Sequence, residues 1–127
     1  ADGSGDQATV LVVDDEDVVR QVVRQMLSRC GFRPRAFGDA IAAVEYVEAH
    51  PGEVDVAVID VRMPGMDGRT CLGKMRAADP NVKAIMATGY DAEGATQELV
   101  DRGACRVVAK PFQTAELFEA VRDVLGA

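Results

Sequence analysis

The sequence predicts an α/β fold, a doubly wound five-stranded parallel sheet, from three observations. Short β-rich apolar runs recur five times, at residues 9–13, 32–37, 54–60, 82–87 and 105–109. Each is followed by a stretch long enough for a helix, most with apolar residues at helical spacing. Turn-forming segments such as "HPGE", "RMPGMDG", "DPN" and "KPFQT" separate the two kinds of run. Strands that alternate with helices require a parallel sheet covered on both faces, with right-handed crossovers. The 127 residues suffice for one domain and one core.

Residues 1–8, "ADGSGDQA", are small and polar and are expected to be a linker or flexible tail. Residues 9–127 are expected to form the single domain. The chain begins without Met, which leads us to expect a preceding segment. The first helix is expected over residues 16–30, with Val19, Val22, Val23, Met26 and Leu27 at helical spacing and Gly31 as its stop. Residues 32–37 make a weaker, more polar strand suited to an edge. Asp39 caps a helix to about residue 48, with Ile41, Val44, Tyr46 and Val47 as packing candidates.

Residues 54–60, "VDVAVID", form a strongly apolar strand, and a helix over 69–78 follows its loop. Another strand at 82–87 leads through "TGYDAEG" to a helix ending near Gly103. The last strand spans 105–109. Thr114 is expected to cap a final helix carrying Leu117, Phe118, Val121, Val124 and Leu125 on one face.

Composition narrows the function. A formal net charge of −7 repels phosphate backbones and anionic lipid, so direct nucleic-acid or membrane binding is not expected. Three cysteines, Cys30, Cys71 and Cys105, without C-x-x-C spacing, disfavour a disulfide framework or zinc site. They read as small apolar residues in a reducing compartment, and a cytoplasmic location is expected. No apolar stretch is long enough to span a bilayer.

In an open parallel sheet all strands point their carboxyl ends to one edge, where ligands bind. Asp14 and Asp15 follow the first strand, Asp60 ends the third, Thr88 follows the fourth and Lys110 the fifth. Clustered carboxylates raise one another's pKa unless compensated. A hard cation such as Mg²⁺, with oxygen ligands and retained waters, resolves the repulsion. Lys110 and Thr88 suit a phosphoryl group, one as point charge and one as hydroxyl donor. Each residue also has an ordinary explanation: helix capping for Asp14 and Asp15, a turn for Asp60 and for Thr88, a solvated loop for Lys110. Their coincidence at equivalent strand ends favours a shared site.

"VLVVDDE", "VIDVRMPGMDG", "MATGY" and "VVAKPF", in this order and spacing, resemble the response-regulator receiver domain of two-component signalling. The resemblance covers nearly the whole chain and implies a flavodoxin-like (βα)5 fold with strand order 2-1-3-4-5. It implies Asp60 as phosphoacceptor and Asp14 and Asp15 as the pair holding Mg²⁺, one of them through water. The backbone carbonyl of Arg62 completes the protein ligands, and Thr88 and Lys110 engage the phosphoryl group. The Lys110–Pro111 bond matches a position usually cis. Implied partners are a histidine kinase or a histidine phosphotransfer domain, docking on the first helix with Val18, Val19 and Met26 as apolar candidates. The isolated chain is expected to be monomeric and to act on itself without turning over external substrates.

One departure is Val107, where the family usually has Tyr or Phe three positions before the lysine. It puts the usual threonine–aromatic coupling in doubt, and with it a dimer through the fourth helix, fifth strand and fifth helix. Arg62 and Tyr90 are candidates to flank the phosphoryl group and limit water access. His50, the only histidine, is read as solvated. The favoured setting is the receiver of a hybrid sensor histidine kinase; a stand-alone regulator and a docking-only pseudo-receiver are the alternatives. Haloacid-dehalogenase-like phosphatases offer an enzyme alternative, but they need an Asp where Arg62 stands.

Overall fold

The computed structural model describes residues 8–89 and 106–126. In chain order they form β1 (Thr9–Val13), α1 (Asp17–Arg29), β2 (Arg33–Phe37), α2 (Ala40–Ala49), β3 (Val56–Asp60), α3 (Gly68–Ala78), β4 (Lys83–Thr88), β5 (Arg106–Ala109) and α4 (Thr114–Gly126). The five strands make one parallel sheet in the order β2-β1-β3-β4-β5, as expected. The helix expected before Gly103, together with Tyr90 and Cys105, lies outside the described residues.

Both faces of the sheet are covered, and strand alternation divides the core in two. Leu11, Val13, Ala57, Ile59, Ala84 and Met86 face α2 and α3. Val10, Val12, Val56, Val58, Ile85 and Ala87 face α1 and α4, where Leu27 and Leu117 are fully buried. Burying such a side chain contributes about 1.5–3 kcal/mol. β1 and β3 are buried along their whole length, which explains their unbroken apolar character. β2 is more exposed and carries Pro34, tolerated because an edge strand needs no second ladder.

Several local expectations are corrected. Val54 and Asp55 precede β3, which begins at Val56. The cap of α4 is Gln113: its carbonyl accepts from the Leu117 amide at 3.1 Å, and its amide donates to Glu116 Oε1 at 2.9 Å. Thr114 is instead the first helical residue. Ile41 is exposed because it sits on the outer side of α2, while Val44 and Val47 are buried. Asp39 does cap α2, accepting from the Ile41 amide at 2.8 Å. His50 is exposed, and its ring stacks on Tyr46 at 4.3 Å while Nδ1 lies 2.9 Å from the Tyr46 carbonyl oxygen. Among the described residues no helix is long and apolar enough to cross a membrane.

Candidate functional site

Where β1 ends, the chain turns sharply into α1. The Asp14 amide donates to the Phe37 carbonyl at 3.1 Å, and Asp14 Oδ1 accepts from the Glu16 amide at 2.9 Å. This Asx-type turn buries the Asp14 carboxylate, 4% exposed, and leaves Asp15 exposed beside it. The negative carboxylates lie at the positive end of α1, a favourable arrangement with its dipole.

Asp60 ends β3, between β1 and β4 in the centre of the sheet. It is 6% exposed. The Arg62 amide lies 3.3 Å from its Oδ1. Gly68 opens α3 directly against this strand end: a Cβ there would stand 2.5 Å from the Asp60 carbonyl oxygen and 2.7 Å from the Met86 methyl carbon. Only glycine lets α3 pack so closely beneath the site.

Lys110 follows β5. Its amide donates to the Thr88 carbonyl at 2.7 Å, and the Lys110–Pro111 bond is cis, as expected. Its Nζ lies 2.9 Å from Asp14 Oδ2 and 3.4 Å from Asp60 Oδ2. Thr88 is half-buried at the end of β4, one residue beyond Ala87, the register partner of Asp60. A cleft of about 360 Å³ opens over the group, lined by Asp15, Glu16, Asp60, Arg62, Gly89 and Lys110.

The electrostatics follow from this placement. Burial pushes the Asp60 carboxyl above its ordinary value; the Asp14 charge adds to this, while Lys110 and the Arg62 amide oppose it. Burial alone would lower the Lys110 ammonium, but hydrogen bonding and charge from Asp14 and Asp60 outweigh it and raise it. Asp14, Asp15 and Asp60 each offer an oxygen, all within 4.8 Å of one another. Three carboxylates facing one ammonium leave a formal charge of minus two, a hard, all-oxygen donor set suited to a divalent cation.

The response regulator receiver domain model matches residues 10–122, and the chain belongs to that family. It is a receiver domain of two-component signal transduction. It is 36% identical to sensor kinase CckA of Brucella abortus over 93% of this chain, but spans only 12% of that protein's length. It is 30% identical to chemotaxis protein CheY of Bacillus subtilis, covering 92% of this chain and 97% of that protein. A response regulator receiver domain protein from Clostridium thermocellum shares the fold with a TM-score of 0.87, at 22% identity and 94% coverage of each chain. The receiver domain of a sensor histidine kinase from Pseudomonas aeruginosa PAO1 matches with a TM-score of 0.83 and 29% identity, over 95% of this chain and 99% of that one. That structure has a magnesium ion in its active site cleft.

The structure brings Asp14, Asp15, Asp60 and Lys110 together, and Arg62 lines the same cleft. Thr88 reaches the same edge, but the cleft is lined by Gly89 after it. Val107 is half-buried against the α2–α3 side of the core, paired in register with Met86. Sequence reasoning overlooked Glu16, whose amide holds Asp14, and Arg20, whose Nη1 donates to the Asp14 carbonyl at 2.9 Å. The available signal was spacing: Arg20 stands one helical turn after Glu16, on the face of α1 nearest the acidic turn.

Proposed function

We propose that this receiver accepts a phosphoryl group from a phosphohistidine onto Asp60, in a Mg²⁺-dependent reaction. The observation that carries the reading is the position of Asp60: buried at the floor of the cleft, 3.4 Å from the Lys110 ammonium and within reach of Asp14 and Asp15. Asp14, Asp15, Asp60 and the Arg62 carbonyl are the groups that would hold the metal. Mg²⁺, when bound, supplies positive charge against the oxygens of the transferring group.

Asp60 attacks phosphorus in line through one carboxylate oxygen. The phosphorus–nitrogen bond breaks, and its electron pair stays on the donor imidazole. Lys110 balances charge on the phosphoryl oxygens, so catalysis is positioning plus electrostatics. Thr88 turns its hydroxyl toward the acyl phosphate once it forms, which biases the β4–β5 edge between two arrangements. Water attack on phosphorus later releases phosphate and restores the Asp60 carboxylate.

A second cavity, of about 370 Å³, supports the docking side of this reading. It lies along α1 and reaches the site at Gly89 and Lys110. Val18 and Val22, 76% and 43% exposed, stand on its apolar wall. A phosphotransfer helix seated there would present its histidine to the cleft, because the groove and the cleft share Gly89 and Lys110. Val19 and Met26 line the same groove but also pack the core.

We infer that the chain works as the receiver segment of a hybrid sensor histidine kinase, supported by its likeness to CckA and to the receiver of a sensor histidine kinase. The likeness to sporulation initiation phosphotransferase F of Bacillus subtilis, covering 92% of that protein, favours a stand-alone regulator as the second reading. The test is incubation with acetyl phosphate and recording of intact mass. A single phosphoryl adduct that needs Mg²⁺ and is absent in Asp60→Asn is expected. Adduct formation undiminished in Asp60→Asn overturns the reading.

A further inference from the structure

Asp14 is held at four points. Its amide donates to Phe37, its Oδ1 accepts from Glu16, its Oδ2 accepts from Lys110, and its carbonyl accepts from Arg20 Nη1 at 2.9 Å. We propose that Arg20 is a positioning residue for the acidic pair, and that Gly38 stays glycine to leave room for it. The inference rests on the reading of Asp14 and Asp15 as the metal-holding pair.

The peptide bond is planar. The Asp14 carbonyl and the Asp15 amide share one rigid plane, so fixing that oxygen fixes the direction in which Asp15 leaves the turn. Asp15 is exposed, and its carboxylate has a defined aim only if its backbone does. Arg20 supplies that constraint from the second turn of α1. Its other terminal nitrogen pairs with Asp17, which holds the guanidinium against swinging out.

Arg20 is not an ordinary surface arginine. Its side chain is 18% exposed, against 86% for its partner Asp17. The reason is Gly38, in the turn between β2 and α2. A Cβ at residue 38 would lie 2.5 Å from Arg20 Nη1 and 3.1 Å from its Cζ. The guanidinium therefore occupies the space a side chain at residue 38 would fill. Phe37, the preceding residue, holds the Asp14 amide, so one turn anchors Asp14 directly and shapes the seat of the group that anchors its carbonyl. Lysine could make one of Arg20's two contacts but lacks the fork to make both.

The test uses the full chain and two measurements: Mg²⁺ affinity by titration calorimetry, and amide exchange by NMR on the metal-free protein. Variants are Arg20→Ala, Arg20→Lys, Gly38→Ala and the Arg20→Ala/Gly38→Ala double. Val47→Ala, a buried change in α2, controls for general destabilisation. We expect Arg20→Ala to weaken Mg²⁺ binding about tenfold, as loss of a group supporting metal ligands does. Arg20→Lys falls between it and the parent. Gly38→Ala weakens binding as well, and the double variant binds no more weakly than Arg20→Ala, because both changes remove the same contact. Exchange at Glu16 rises relative to Val12 in Arg20→Ala but not in Val47→Ala. Mg²⁺ affinity within twofold of the parent in Arg20→Ala overturns the proposal. Should the parent bind no Mg²⁺, the functional reading falls, and exchange at Glu16 alone decides: unchanged exchange in Arg20→Ala overturns the positioning role, and a selective rise supports it.

Discussion

Lys110 and Asp14, 96 positions apart in the chain, meet at 2.9 Å inside the site. The contact ties the loop after β5 to the turn after β1. It also leaves Lys110 within 3.4 Å of Asp60, so one ammonium serves two carboxylates. Under the proposed function two roles separate here, attracting the metal and stabilising the transferring group. Lys110→Ala should slow phosphorylation by acetyl phosphate about 100-fold, the cost of losing one preorganised charge at a transition state. Mg²⁺ affinity should not fall, since the cluster becomes more negative. Initial rates and calorimetry on the same variant check both halves, and rates near the parent's would contradict the assignment.

Arg62 lines the cleft two residues after Asp60, with an exposed side chain. Its amide lies 3.3 Å from Asp60 Oδ1, a backbone contact that truncating the side chain leaves in place. Arg62→Ala is expected to alter the lifetime of the aspartyl phosphate while leaving Mg²⁺ binding intact. Decay is followed by intact mass after removal of the phosphodonor. An unchanged half-life removes Arg62 from any shielding role.

Asp79 shows the contrasting case, a buried carboxylate far from the chemistry. Its Oδ2 accepts from the Gly52 amide at 2.8 Å and its Oδ1 from the Asn81 amide at 3.2 Å. It thereby joins the loop before β3 to the end of α3, on the sheet edge opposite the cleft. Asp79→Ala removes both hydrogen bonds to a charged acceptor and should destabilise the fold by about 1–3 kcal/mol. Phosphorylation of the folded fraction should be unchanged. Urea unfolding and rate measurement below the transition separate the two effects.

Cys71 is buried in α3, and burial pushes its thiol up to about 11. The thiolate is the reactive form, so about one thiol in a thousand is ionised at pH 8. In a Cys105→Ser background, a thiol reagent should modify the half-buried Cys30 first and Cys71 only on unfolding. Equal rates at Cys30 and Cys71 in the native protein would show that α3 opens more readily than its packing implies.

Much of this was legible in the sequence, for identifiable reasons. A parallel sheet buries its central strands on both sides, so "VLVV" and "VAVID" advertise β1 and β3 without ambiguity. The common direction of the strands then carries Asp14, Asp15, Asp60 and Lys110 to one edge. Helix faces were less sharp. Val22 and Phe118 sit at the margins of their apolar stripes and are 43% and 38% exposed. Spacing places a residue on a stripe but not at its centre. The cap of α4 was misread because a threonine there satisfies the local preference, while the structure meets it with the Gln113 carbonyl and the Glu116 side chain. Spacing puts Arg20 one helical turn after Glu16, but its burial depends on Gly38, 18 positions later, and no local pattern links those two.

The central claim is that Asp60 carries the phosphoryl group, and chemical trapping tests it most directly. The protein is phosphorylated with acetyl phosphate and Mg²⁺, reduced with borohydride, digested and mapped by mass. Reduction converts an aspartyl phosphate to homoserine. The account predicts homoserine at position 60, and none at position 14 or 15. Homoserine at Asp14 or Asp15, with Asp60 intact, would contradict it.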